Sequence, residues 1–116
     1  MGLFSDTNDS LSAWIALMAK RASYSGVNNN TLTSGGESFH VKRLGVGKLQ
    51  FTCKVDGKIA STVAVEKALL GGYDVISHSV YGSRTGPNEL QSAGLESLRN
   101  MRLLHKSLIR NKKRDK

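Results

Sequence analysis

The polar and apolar residues of this chain follow a helical spacing near both ends and a strand-like alternation between them. Near the amino end, Asp9 or Ser10 can cap a helix, because their side chains accept hydrogen bonds from unpaired backbone N–H groups. Beyond them, apolar residues at the i, i+3, i+4 and i+7 positions indicate one buried helical face: Leu11, Trp14, Ile15 and Met18. The pattern predicts a helix over residues 9–24.

The middle of the chain changes to a period of two residues. SGVNNNTLTSGGES, residues 25–38, is rich in residues that favour turns, and predicts a flexible connection or an irregular edge hairpin. From Glu37 polar and apolar residues alternate, weakly in ESFHVKRL and clearly in KLQFTCKV, so both segments are predicted strands. Asp56-Gly57 then favours a two-residue hairpin turn, because such turns need positive φ angles.

Two further strands are predicted after that turn. In KIASTVAVEK the apolar positions are Ile59, Val63 and Val65, and the opposite positions are Lys58, Thr62 and Glu66. YDVISHSVYG follows Gly71-Gly72, with Ile76, His78 and Val80 on one side and Tyr73, Ser77, Ser79 and Tyr81 on the other. AVEKALL can alternatively form a short helix, because Ala, Glu, Lys and Leu favour one.

A long helix is predicted at the carboxyl end, over residues 86–111. Pro87 suits the first helical position and Glu89 suits the first turn. One apolar stripe runs along this helix: Leu90, Gly94, Leu98, Met101, Leu104 and Leu108. At a rise of 1.5 Å per residue, about 22 helical residues within this range extend roughly 33 Å, which exceeds the width of a small sheet.

These elements predict one α+β domain over residues 1–116, because the chain is too short for two ordinary domains. A helix and connection occupy 1–36, an antiparallel meander of three or four strands occupies 37–82, and a basic tail occupies 112–116. Helices are expected to cover the apolar face of the sheet. Because the last helix overhangs that sheet, we expect part of its stripe to meet a second subunit in an intertwined dimer.

Charge is concentrated at the carboxyl end. The net charge is +8, and residues 97–116 hold eight Lys or Arg and one Asp. A tail of this kind favours an anionic partner or remains a solvated end.

The predicted outer face of the sheet adds basic, polar and aromatic groups: Lys48, Gln50, Thr52, Lys54, Lys58, Thr62, Tyr73 and Tyr81. Lysines neutralise phosphates, polar groups contact bases and tyrosines stack on them, so this face is predicted to bind single-stranded or hairpin RNA.

Other classes of function receive little support from the residues. The three histidines fall on different elements without a neighbouring catalytic group, so we expect no enzyme, metal, cofactor or small-molecule substrate. Cys53 lies on the apolar side of its strand and is expected to be a buried thiol. No run of about 18 apolar residues occurs, so no membrane partner is expected.

The order of elements from Leu44 resembles the coat proteins of single-stranded RNA bacteriophages, the levivirus-like family. The resemblance rests on KLQFTCKV, its turn, KIASTVAVEK, YDVISHSVYG and the helix LQSAGLESLRNMRLLHKSL. It implies interlocked dimers whose helices cover the partner's sheet, an icosahedral shell, and genomic RNA on the inner sheet face. It also implies a location in the virion and assembly in the host cytoplasm. The predicted amino-terminal helix and the basic tail depart from the family pattern.

Two alternatives stay open. Helix, three strands and helix is also the order of a double-stranded RNA-binding domain, so a non-assembling RNA-binding regulatory module is one. GPNELQSAG, however, lacks the lysine pair of that family. A viral matrix-type protein that binds membranes through its tail is the other, but RNKKRDK has no interleaved apolar residues.

Overall fold

The computed structural model describes residues 2–24 and 29–114, which form one six-stranded antiparallel sheet and two helices. The strands lie side by side in chain order, so the predicted α+β meander is confirmed, with more strands than expected. The elements are α1 (Gly2–Tyr24), β1 (Asn29–Ser34), β2 (Glu37–Gly45), β3 (Lys48–Val55), β4 (Lys58–Lys67), β5 (Tyr73–Val80), β6 (Ser83–Arg84) and α2 (Leu90–Arg114).

Strand β1 occupies part of the segment that was predicted as a flexible connection or an edge hairpin. It pairs in continuous antiparallel register with β2, and Leu32 lies opposite Phe39. Because Leu32 packs against the core, this one apolar residue anchors an otherwise polar edge strand. The pairing supports the hairpin alternative, and residues 25–28 of the connection lie outside the described residues.

The turn predictions have mixed outcomes. Asp56 and Gly57 have φ angles of 52° and 81°, which confirms the predicted hairpin turn. The alternative helix over 64–70 is wrong, because β4 continues to Lys67 and places Val65 in the core. A turn follows, in which the Ala68 N–H donates to the Gly72 carbonyl at 3.0 Å.

The core lies between one face of the sheet and the two helices. The predicted buried residues of α1 are confirmed, and Leu98, Met101 and Leu108 of α2 are likewise buried. Trp14 of α1 is central, with its ring centroid 5.7 Å from that of Phe39. The corresponding distance to Phe51 is 5.2 Å. Burial of such large apolar side chains contributes about 1.5–3 kcal/mol each.

Helix α2 starts later and ends later than predicted. Pro87 is the second residue of a turn closed by the Glu89 N–H and the Gly86 carbonyl at 3.2 Å, so Pro87 is not the first helical residue. The Glu89 carbonyl accepts the first helical hydrogen bond, from Ala93, at 2.9 Å. Three residues that were assigned to the basic tail, 112–114, belong to the helix, which ends at Arg114.

Gly94 allows α2 to approach the sheet closely. A Cβ atom at this position would lie 2.5 Å from Cγ1 of Val75, which is well inside van der Waals contact.

Both helices lie across the sheet of their own chain and bury its apolar face. The predicted intertwined dimer therefore is not needed to cover the core, and it stays a prediction. Neither described helix combines the length and apolar character that a membrane span requires.

Candidate nucleic-acid interface

The sheet face opposite the helices, here the open face, carries mainly polar and basic side chains. Its members follow from the strand register, because directly paired residues point to the same side of a sheet. Outside β1 they include Ser38, His40, Lys42, Lys48, Gln50, Thr52, Lys54, Ile59, Thr62, Ala64, Glu66, Asp74, Ser77, Ser79 and Arg84.

One continuous row of paired residues crosses all six strands of the open face. This central row consists of Thr31, His40, Thr52, Thr62, Ser79 and Arg84. Neighbouring strands lie about 4.8 Å apart, so the row spans roughly 24 Å. Four hydroxyl groups, an imidazole and a guanidinium therefore form one line perpendicular to the strands.

A lysine flanks the central row on each side. Lys42 lies in the neighbouring row, opposite Gln50, and Lys54 lies in the row on the other side, opposite Ser38. Both lysines are two residues away, along their strands, from a member of the central row. Positive charge therefore lies on both sides of the hydroxyl groups, which is a suitable arrangement for a phosphate chain.

The acidic members of the open face lie in one row, at one end of strands β3, β4 and β5. Lys48, Glu66 and Asp74 are paired across β3, β4 and β5. Nζ of Lys48 lies 3.4 Å from a carboxylate oxygen of Glu66, and both side chains are about half exposed. An exposed ion pair adds little stability, but it reduces the positive potential that Lys48 offers to an anion.

The structure brings together five of the eight residues that were predicted to contact RNA. Lys48, Gln50, Thr52, Lys54 and Thr62 all lie on the open face. Lys58 does not, because a β-bulge shifts the register between Cys53 and Lys54. Lys58 is paired with Val55, and Ile59 takes the place opposite Lys54, where it is exposed. The predicted orientations of Lys58 and Ile59 are therefore wrong.

A second bulge overturns the predicted orientation of Tyr73. Val65 is paired with Val75 and Ala64 with Ser77, so Ile76 is the extra residue in β5. Residues before the bulge consequently exchange faces. Tyr73 packs against the core, whereas Ile76 is exposed and Val75 takes the buried position.

Beyond the bulge, the predicted alternation of β5 holds. Ser77 and Ser79 lie on the open face and His78 is buried on the core side. Tyr81 was predicted in the same strand, but β5 ends at Val80, and Tyr81 lies in the following turn, where it is 70% exposed with a φ angle of 48°. Its N–H donates to the Ala60 carbonyl at 2.9 Å.

Among the residues of the open face that sequence reasoning missed, four carry a hydroxyl, imidazole or cationic group suited to RNA: Ser38, His40, Lys42 and Arg84. The first three alternate with the buried Phe39 and Val41, so a stricter use of the two-residue period in ESFHVKRL would have found them. Arg84 belongs to a strand of two residues, which is too short for any periodic signal.

His40 is the unusual titratable group of the open face. Its ring is half buried, and Nε2 is enclosed without a hydrogen-bond partner among the described residues. Burial lowers the pKa of His40, and the positive charges of Lys54 and Lys42 lower it further. The imidazole is therefore held in its neutral form at neutral pH.

The other two histidines are buried on the core side of the sheet. Nδ1 of His78 lies 2.5 Å from Oγ1 of Thr85, and Nε2 lies 2.7 Å from Oγ of Ser97, so His78 links the sheet to α2. Nε1–H of Trp14 donates to Nδ1 of His105 at 3.3 Å. Burial is the main cause that lowers the pKa of His105, followed by Arg21.

Cys53 is half buried on the core side, where burial and then Glu37 raise the pKa of its thiol. It shares a cleft of about 200 Å³ with Ser97 and Asn100 of α2. Among the described residues, no three His, Cys, Asp or Glu side chains converge as metal ligands would.

Comparisons of the chain with models of protein families, with curated proteins and with solved structures yield no match. The assignment of a function therefore depends on the geometry of the open face.

Proposed function

We propose that this protein binds single-stranded RNA on its open face and is a viral coat protein. The observation that carries the RNA-binding part is the central row with Lys42 and Lys54 on either side of it. RNA single strands offer phosphates, 2′-hydroxyls and unstacked base edges, and the row offers a matching set of cations and hydroxyl groups.

The central row runs perpendicular to the β-strands, so an RNA strand bound along it crosses the sheet. Hydroxyl groups of Thr52, Thr62 and Ser79 donate to or accept from base edges and ribose hydroxyls along the line. Arg84 lies at one end of the central row. Its planar guanidinium binds phosphate with two parallel hydrogen bonds or stacks on a base. The acidic side chains lie beyond the neighbouring row, where they do not meet this path.

The coat-protein part is supported by exposed apolar residues at one end of the sheet. Val46, Leu69 and Leu70 are almost completely exposed, at 92%, 104% and 101%. Their two loops are neighbours, because the Lys67 N–H donates to the Gly47 carbonyl at 2.8 Å. A group of exposed aliphatic side chains is typical of a protein interface, and other copies of the chain would cover it in an assembled shell in the virion.

A second candidate function is that of a non-assembling RNA-binding module. The observation that favours it is the cover of the core by α1 and α2 of the same chain. Such a chain buries its apolar face without a partner. The open face would bind RNA in the same way in both cases.

Binding and assembly are tested separately. Fluorescence anisotropy with a labelled single-stranded RNA measures affinity for the wild type and for Lys42→Ala/Lys54→Ala over a range of salt concentrations. We expect the double variant to lose about tenfold or more in affinity and to show a shallower salt dependence by about two phosphate contacts. Lys58→Ala/Lys67→Ala is the matched control, because it also removes two lysine charges, from positions whose strand pairing places them off the open face.

An unchanged affinity and salt slope in the double variant would contradict RNA binding by the open face. Loss of binding in Lys112→Gln/Lys113→Gln alone would assign binding to the carboxyl end instead. Assembly is measured by size exclusion with light scattering, absorbance at 260 and 280 nm, and negative stain. Uniform particles that contain nucleic acid support a coat protein, whereas a species of one or two chains that binds RNA supports the non-assembling module.

A further inference from the structure

His40 lies between two lysines of the open face. It is paired with Thr52 on one side and Thr31 on the other within the central row. Lys42 follows it by two residues on the same strand face, and Lys54 is the diagonal neighbour on β3. Any phosphate that binds between the two lysines therefore comes close to the imidazole.

As far as the structure describes the chain, the surroundings of His40 contain cations and neutral polar groups but no carboxylate. The described residues that face it are Thr31 and Thr33 from β1, Ser38 and Lys42 from β2, and Gln50, Thr52 and Lys54 from β3. Glu37 lies on the other side of β2, and Glu66 is paired with Lys48 in a distant row. Without a bound anion, the described residues around His40 supply no negative charge that would stabilise a protonated imidazole.

The enclosed nitrogen of His40 is the second observation. Nε2 is buried and has no hydrogen-bond partner within the described chain, although neighbouring side chains carry hydroxyl and amide groups. A buried polar atom without a partner costs about 1–3 kcal/mol. The enclosed Nε2 therefore disfavours the charged ring in the free protein, and a ligand on the open face reaches the ring through Nδ1, where an anionic acceptor favours the protonated form.

We propose that His40 takes up a proton when RNA binds, so that the open face binds RNA more tightly as the pH falls below neutrality. This inference rests on the proposed function, because it assigns a regulatory role to a residue of the same site. The proton comes from solvent and is added to the free ring nitrogen. The imidazolium then donates a hydrogen bond from Nδ1 to a phosphate oxygen that Lys42 and Lys54 also contact.

The direction of the effect follows from the charges. In the free protein, burial and the two lysines lower the pKa of His40 below its usual value of 6.5. A bound phosphate offsets the lysine charges and favours the imidazolium, so the pKa of His40 is higher in the complex. Between these two pKa values the complex holds more protons than the free protein. Affinity therefore rises as the pH falls through this interval, by at most tenfold for each pH unit.

The experiment measures the dissociation constant of an oligouridylate without terminal phosphates, at constant ionic strength, between pH 8 and pH 5.5. This probe is chosen because uridine and phosphodiesters gain no proton in that range. We expect the affinity of the wild type to rise about fivefold or more, and that of His40→Gln to stay nearly constant. His78 and His105 are 6% and 3% exposed, lie on the core side and are present in both proteins. Any pH effect that they cause therefore appears in His40→Gln as well, which makes them an internal control.

Proton uptake is measured directly as well. Calorimetric titrations of the wild type in two buffers with different ionisation enthalpies should give up to one proton taken up for each bound site. An NMR titration of the His40 ring, with and without the oligonucleotide, should show a higher pKa in the complex. This measurement uses the wild type alone, so it stands even where His40→Gln fails to fold.

The outcomes separate the two proposals. Absence of RNA binding at every pH overturns the proposed function and this inference together. Binding with one affinity across the pH range overturns the role of His40 alone. An equal pH dependence in His40→Gln, or an unchanged His40 pKa in the complex, also overturns it, because the proton then binds elsewhere.

Discussion

The side-chain amide of Gln91 forms two hydrogen bonds with the backbone of Val75. Nε2 donates to the Val75 carbonyl at 2.6 Å, and Oε1 accepts from the Val75 N–H at 3.2 Å. Val75 adjoins Ile76, the extra residue of the β5 bulge. The first turn of α2 therefore supplies hydrogen-bond partners to a strand residue beside the bulge, and fixes the position of the helix on the sheet.

Replacement of Gln91 by Ala is expected to destabilise the protein by about 1–3 kcal/mol, because the N–H and C=O of Val75 lose their side-chain partner in a partly buried position. Urea unfolding followed by circular dichroism measures the change. Gln50→Ala is the control, since it removes the same side chain from the open face and should change stability by less than about 0.5 kcal/mol. Equal effects of the two substitutions would contradict a structural role for Gln91.

Gly94→Ala tests the close approach between α2 and β5. Alanine is the better helix former by about 1 kcal/mol, so an uncrowded position would be stabilised. Its Cβ atom would lie 2.5 Å from Cγ1 and 2.9 Å from Cγ2 of Val75, and we expect a net loss of about 1–3 kcal/mol. Thermal unfolding of Gly94→Ala, of Val75→Ala and of the double variant should show that Gly94→Ala costs less when residue 75 is already alanine. A higher melting temperature for Gly94→Ala alone would contradict the predicted crowding.

Glu66→Gln tests the electrostatics of the open face. The substitution removes the carboxylate that lies 3.4 Å from Nζ of Lys48, so the lysine charge becomes available to a phosphate. We expect RNA affinity to rise about two- to fivefold at low salt and the gain to fade as salt is added. Anisotropy titrations measure both values. Glu96→Gln on α2 serves as the control, because it raises the net charge equally at a distance from this face; a similar gain there would indicate a general charge effect.

Stability is expected to fall as the pH is lowered below about 6.5, partly because of His105. Burial lowers the pKa of His105 in the folded protein below its usual value of 6.5, so the unfolded chain binds the proton more strongly. The stabilisation is complete above pH 6.5 and is lost as the pH falls towards the lower folded-state pKa, by at most about 1.4 kcal/mol per pH unit.

The fluorescence of Trp14, the single tryptophan of the chain, measures this loss during urea unfolding, because its ring lies 5.9 Å from that of His105. His105→Gln keeps an acceptor for the indole N–H and cannot be protonated in this range. Its stability should therefore depend less on pH between 7.5 and 5.5 than that of the wild type. Identical slopes in the two proteins would show that His105 does not contribute.

The amino-acid sequence by itself determined the kind of element at most positions. Apolar residues at i, i+3 and i+4 are sufficient to indicate α1 and α2, because a helix places them on one face regardless of what packs there. The alternation in KLQFTCKV likewise indicates β3 and the side of each residue, and Asp56-Gly57 indicates its turn. Gln50, Thr52 and Lys54 were consequently placed on the open face correctly.

Tertiary structure alone decided where that alternation shifts. A bulge adds one residue to a strand and exchanges the faces of all strand residues on one side of it. The local pattern of polar and apolar residues does not show whether such a residue has been added. The bulge at Ile76 lies beside Val75, whose backbone is hydrogen-bonded to Gln91 of α2, and the register beyond it packs Tyr73 against the core. The bulge between Cys53 and Lys54 depends on the pairing of two strands, and it takes Lys58 off the open face. The line of His40, Thr52, Thr62 and Ser79 is likewise a property of strand register, because residues distant in the chain meet only where neighbouring strands are paired.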